Sequence, residues 1–98
     1  DDTVKATIEI AEKCHGAEII NIARGEDITI LEIAKHIVKQ TKSSSQIKLV
    51  ESPKYRHDFD VEKRCGNSSK LESLINYKPH TNLKKGLEKT YNYFLRHK

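Results

Sequence analysis

The side chains best suited to chemistry gather in one stretch of this 98-residue chain. Between Glu51 and Gly66 lie Tyr55, Arg56, His57, Asp58, Phe59, Asp60, Lys63 and Arg64, with Pro53 near the start. No helical or strand period fits these sixteen residues, and a loop of that length in a small domain is functional or disordered. The mix of aromatic, basic and acidic side chains favours function. Asp58 and Asp60 alternate, which leaves acid–base chemistry open beside a salt-bridged loop around Arg56. Of the five histidines (His15, His36, His57, His80 and His97), only His57 sits among other polar loop residues.

Other chemistries lack their residues. Cys14 and His15 are adjacent, and no C-x-x-C or H-x-x-x-H pair exists, so metal binding is disfavoured. The serines cluster at 43–45 and 68–69, and no G-x-S-x-G elbow occurs. Neither G-x-G-x-x-G nor G-K-[ST] appears, so the chain has no phosphate-cradling turn for a dinucleotide. Asn67-Ser68-Ser69 matches a glycosylation sequon, but without a signal peptide Asn67 reads as a helix cap.

Composition sets the frame for these residues. Hydrophobic residues are 36% and charged residues 33%, with no Trp or Met. That apolar share is low for a soluble domain, so the expected core is thin. No apolar run approaches membrane-spanning length, and two cysteines fifty-one residues apart do not make a disulfide scaffold. A reduced, cytoplasmic chain is expected. Residues 1–50 carry seven Lys/Arg and eight Asp/Glu, whereas residues 51–98 carry eleven and six. The basic half can attract polyanions, or simply be a solvated lysine-rich surface.

The local patterns predict the elements that position the loop. A first helix is capped by Asp2 or Thr3, buries Val4, Ile8 and Ala11, and stops at Gly16. Ala17–Ile22 reads as a short buried strand, and Arg24–Asp27 as a turn. Thr29-Ile30-Leu31-Glu32 is a capping box, with Ile28 and Ile33 at the staple positions. The helix after it presents Ile30, Ile33, Ala34, Ile37 and Thr41, with Val38 beside them. Ser43-Ser44-Ser45 connects it to an alternating strand over Gln46–Val50. Strand, helix and strand in this order predict a βαβ unit with parallel strands. Beyond the loop, a short helix capped by Asn67 or Ser68 carries Leu71, Leu74 and Ile75 and ends at Tyr77-Lys78-Pro79. The last helix starts near Asn82, with Leu83, Leu87, Thr90, Tyr91, Phe94 and Leu95 on its apolar face. Gly86 inside it calls for close packing. The expected fold is therefore α+β: a small parallel two-stranded sheet with about four helices, forming a single subdomain over 1–98. Tyr91 and Phe94 read as core rather than as stacking platforms, which weakens a nucleic-acid reading.

The motif order resembles the C-terminal part of the NAD-dependent nucleotide-sugar epimerases and dehydratases, the extended short-chain dehydrogenases typified by UDP-glucose 4-epimerase. Asn21-Ile22-Ala23-Arg24-Gly25-Glu26-Asp27-Ile28-Thr29-Ile30 resembles their N-I-G-x-G-x-x-x-S-I stretch, and Asp1-Asp2 with Val4 and Ala6 resembles the end of V-x-D-x-x-x-A. Asn67-Ser68-Ser69-Lys70-Leu71 resembles D-x-S-K-A, Tyr77-Lys78-Pro79 stands where the family has G-W-x-P, and Leu83-Lys84-Lys85-Gly86-Leu87 matches L-x-x-G-L. The resemblance covers nearly all of the chain and about the last third of such an enzyme.

The resemblance implies the substrate-binding subdomain of an isomerase- or dehydratase-type parent, inactive alone. NAD would be bound by a Rossmann domain that these residues do not include, and this part would hold no cofactor. The ligand would be a nucleotide diphosphate sugar. In the family an R-x-G-D segment contacts it, the Arg at the phosphates and the Asp at the ribose. Counting back from Ser69-Lys70 places the Asp at Asp60, the Arg position at His57 and the Gly at Phe59. The chain departs from the pattern there. A one-residue loop shift would make Arg56 the phosphate contact, because a bidentate guanidinium suits a diphosphate better than an imidazole. Arg64 is a second substrate-facing candidate. The alternative function is a small basic nucleic-acid-binding module.

Overall fold

The computed structural model describes residues 1–56 and 63–97. They form α1 (Asp2–Lys13), α2 (Ile30–Thr41), a single 3-10 turn (Lys54–Arg56), α3 (Ser69–Ile75) and α4 (Leu83–Arg96). No strand occurs among the described residues, which overturns the expected α+β fold and its parallel βαβ sheet. The physical reason lies in where the strand-like segments find their partners. Ala17–Ile22 and Gln46–Val50 belong to two different compact units and form no ladder. Backbone groups around the first segment are taken by side chains instead, as described below. Alternation is a necessary condition for a half-buried strand, but a strand exists only when another strand pairs with it.

One unit comprises Asp1–Glu26 and Cys65–Asn82. In it α1 packs on α3 around Ala6, Leu71 and Ile75, with Ile10, Cys14, Ile20, Ile22 and Tyr77 against that centre. The buried face of α1 is therefore Ala6 and Ile10, not the expected Val4–Ile8–Ala11 face, which is exposed. Both faces carry apolar residues at i, i+4 spacing, and α3 settles which is covered. Asp1 rather than Asp2 or Thr3 holds the N-cap position, without a side-chain capping bond. The helix ends at Lys13 with Cys14 already extended, and Gly16 follows at φ +100°. The end of α3 is a left-handed Asn76 at φ 51°, a conformation that Asn tolerates better than most residues.

The other unit comprises Asp27–Arg64 and Leu83–Lys98. Here the capping box forms as expected. Thr29 Oγ1 accepts from the Glu32 amide at 3.1 Å, and Glu32 Oε2 accepts from the Thr29 amide at 2.9 Å. Those bonds from Thr29, backbone first, hold the Glu32 carboxyl below its ordinary pKa. Helix α2 closes on Lys42 at φ 51°, with the Ser43 amide donating to Val38 O at 3.1 Å. It packs on α4, yet neither helix has a fully buried residue. Leu31, Ile33, Ala34, Val38, Thr41, Leu83, Gly86, Leu87 and Tyr91 are half-buried. Ile30 and Phe94 are 80% and 65% exposed, so the expected apolar faces are covered only along one side.

Candidate functional site

Arg56 and Arg64, two of the four expected ligand residues, are both exposed. Arg56 closes the 3-10 turn, its amide donating to Pro53 O at 2.9 Å. Arg64 leads into Cys65 without regular structure. His57 and Asp60, with the Asp58 that could salt-bridge Arg56, lie outside the described residues.

The first unit builds a separate cleft of about 360 Å³, whose wall includes Arg24, Cys65, Ser68, Glu72 and Lys78. Its floor depends on two glycines. Gly25 takes φ +79°, and a Cβ on Gly66 would collide with the Ala23 Cβ, so that chain crossing requires glycine. Ser68 then clamps Ala23 from both sides: its Oγ accepts from the Ala23 amide at 2.7 Å and donates to the Ala23 carbonyl at 2.6 Å. Asn67 Oδ1 accepts from the Ser69 amide at 2.8 Å, as expected of a cap. Lys70 Nζ donates to Ile19 O at 3.0 Å and pairs with Glu18 at 2.6 Å. The N-S-S-K run thus stitches the Glu18–Ala23 segment to the start of α3. At the cleft, Arg24 pairs with Glu26 through Nη2 at 2.8 Å, while its buried Nε has no partner. This is chemistry for gripping a polar group, with Arg24 and Lys78 as donors.

Asp2 organises the other side of the same unit. It accepts from the Tyr77 hydroxyl at 2.8 Å, the Thr81 amide at 2.8 Å and the His80 amide at 3.1 Å, and His80 Nδ1 lies 3.8 Å away. The Thr81 amide, more than any other group, holds its carboxyl far below the usual carboxylate range, against the opposing effect of desolvation. Burial, and then the bond to Asp2, push the Tyr77 phenol up. Lys5 Nζ stands 4.9 Å over the Tyr77 ring. Sequence reasoning missed the Asp2, Ser68 and Lys70 roles. The one available signal was that these residues fall within the matched motifs.

Among the described residues no group of three or more His, Cys, Asp or Glu could share a metal ion, and no helix is long and apolar enough to cross a membrane. No family model matches the chain, and no solved structure matches it. At the level of class, the similarity that does appear is to a sugar-nucleotide enzyme, in agreement with the resemblance drawn from the motifs. That relative is the UDP-N-acetyl-alpha-D-glucosaminuronate decarboxylase of Bacillus cytotoxicus, 34% identical over 95 residues. The alignment takes in 95% of this chain and 30% of the relative, so the chain spans about a third of that protein's length.

Proposed function

We propose that this chain is the nucleotide-sugar-binding part of an enzyme that acts on an NDP-linked sugar by epimerase, dehydratase or decarboxylase chemistry. The observation that carries this reading is the 34% identity, sustained over 95% of the chain, to a decarboxylase of a UDP-linked sugar acid. The ordered motifs support it. Arg56 grips the diphosphate as a guanidinium fork, Arg64 adds a second positive charge, and His57 and Asp60 contact the nucleotide end. NAD does not fit these residues. They contain no glycine-rich turn, and the described part has no strand leading into a helix to carry one. The chain alone binds without turning substrate over.

Titration of the ¹⁵N-labelled chain with UDP and a UDP-linked uronic acid tests the reading. Saturable shifts confined to the Lys54–Arg64 region are expected, weakened about tenfold or more by Arg56→Ala through loss of charge-assisted hydrogen bonds. Turnover by the isolated chain with NAD and UDP-sugars would refute the binding-only part. Shifts absent with nucleotide diphosphates but strong and steeply salt-dependent with oligonucleotides would replace the whole reading with nucleic-acid binding.

A further inference from the structure

Helix α1 carries two apolar faces. Ala6 and Ile10 bury one of them against α3. Val4, Ile8 and Ala11 form the other at i, i+4 and i+7, and all three are exposed, Val4 by 63% and Ile8 by 53%. A surface helix needs one apolar stripe to join its core, and the second stripe is left for another partner. The charges beside it fit a particular one. At 3.6 residues per turn, Val4 and Ala11 lie on one side of Ile8, and Lys5 and Glu12 lie on the other. Among the described residues Glu12 pairs with no cation and Lys5 with no carboxylate, whereas the neighbouring Glu9 is already paired with Lys13 at 3.0 Å. Lys5 Nζ rests 4.9 Å over the Tyr77 ring, which holds it at the edge of the stripe.

We propose that this stripe is a self-association surface, on which α1 of a second copy packs antiparallel about a two-fold axis at Ile8. In that register Ile8 meets Ile8 of the second copy at the axis. On one flank Val4 packs over Ala11 of the second copy, a large side chain on a small one. On the other flank Lys5 meets Glu12 of the second copy. The two-fold axis makes each of these contacts twice, so one unpaired acid and one unpaired base per chain give two ion pairs. Charges at the edge of an apolar helix seam choose the partner and its direction, and here they match an antiparallel copy. A parallel copy would set Lys5 beside Lys5 and Glu12 beside Glu12. The antiparallel arrangement also opposes the two helix dipoles favourably. A 12-residue helix is about 18 Å long, so the contact is smaller than a standard stable interface. The dimer is accordingly weak and reversible, with a dissociation constant on the order of 100 µM. It uses no residue of the Arg56–Arg64 region and is independent of the nucleotide-sugar reading.

Sedimentation equilibrium of the full chain, from about 10 µM to 1 mM at low salt, tests this. A monomer–dimer equilibrium is expected, with concentration-dependent NMR shifts centred on the Val4–Glu12 amides. Ile8→Asp sets two carboxylates against each other at the axis and should weaken the dimer about tenfold or more. Lys5→Glu and Glu12→Lys each turn two attractions into two repulsions, and each should weaken it about five- to thirtyfold. Mixing the two single variants restores every ion pair across the contact, so the mixture should associate at least as well as the unaltered chain. That rescue belongs to paired charges and not to a general loss of structure. Helical circular dichroism identifies any variant that fails to fold, and the remaining variants then decide. A chain that stays monomeric to 1 mM overturns the proposal, because the stripe then serves a different partner. Association that survives Ile8→Asp, or single charge variants that fail to rescue each other, overturns it as well, because the contact then lies on another face or in another register.

Discussion

Leu71 and Leu74 stand one turn apart on α3 and provide an internal comparison of burial at fixed chemistry. Leu71 is fully buried and Leu74 is 41% exposed. Leu→Ala at either site removes three carbon groups, changes helix propensity equally and leaves the backbone alone. At Leu71 the lost transfer energy is about 2.4 kcal/mol at roughly 0.8 kcal/mol per buried carbon. A residual cavity beside Ala6 and Ile75 raises this to about 3–4 kcal/mol. At Leu74 only about three-fifths of the side chain is covered, and solvent fills the space left behind, so the cost is about 1–1.5 kcal/mol. A gap of about 2 kcal/mol follows. Because the chain divides into two units, the readout must belong to the first. Urea titration followed through the α1 and α3 amides by NMR provides that. Equal costs for the two variants, or less than about 1 kcal/mol for Leu71→Ala, would refute the core assignment.

Other consequences are open to direct measurement. Asp2 is held charged in the folded chain well below its ordinary pKa near 4. Its stabilisation is therefore complete above about pH 4 and fades as pH falls further, because the unfolded chain takes up the proton first. Asp2→Asn should flatten the acid-side loss of unit-one amide protection; an unchanged acid profile would contradict the hub. Thr29→Ala removes the N-cap of α2 and should cost about 1 kcal/mol in the second unit, read by thermal melts of the Ile30–Thr41 amides. Lys42→Gly relieves a left-handed lysine at φ 51° and should stabilise the same unit by about 0.5–1 kcal/mol in urea titration. Gly66→Ala should shift the Ala23 and Ser68 resonances and destabilise the first unit, since its new methyl meets the Ala23 Cβ.

What was legible in the sequence was local. The Thr29–Glu32 box spans four residues, and its two hydrogen bonds are properties of that spacing, so it was read correctly. All four helices were likewise visible from period and punctuation. Choosing the buried face of α1 required knowing that α3, some sixty residues later, would cover Ala6 rather than Val4. The bonds that hold the first unit together join residues 45 to 79 positions apart, and no window along the chain contains both ends. The strand assignments failed for the same reason. Ile19, in the segment expected to be a buried strand, and Val50, in the one expected to be half-buried, are 90% and 77% exposed because their segments have no ladder.

The matched motifs divide by the work they do, which bears on how far similarity carries function. Asp2, Ser68, Lys70 and Tyr77 all fall in segments that resemble the family, and the structure gives each a bond internal to the first unit. These are scaffold positions. On the proposed reading the ligand positions differ: counted from Ser69-Lys70, His57 would stand at the family's arginine and Phe59 at its glycine, with Arg56 displaced by one residue. A guanidinium moved by one residue cannot meet the same phosphate oxygens without a change in the loop, because bidentate pairing fixes both distance and plane. Similarity therefore argues more strongly for the scaffold than for the sugar or base it serves. If the one-residue shift is right, His57→Arg should improve nucleotide-diphosphate binding only together with Arg56→Ala or Arg56→Gly, since one cation suffices at that position. A His57→Arg variant that binds UDP about tenfold tighter with Arg56 intact would place the phosphate at residue 57 and refute the shift.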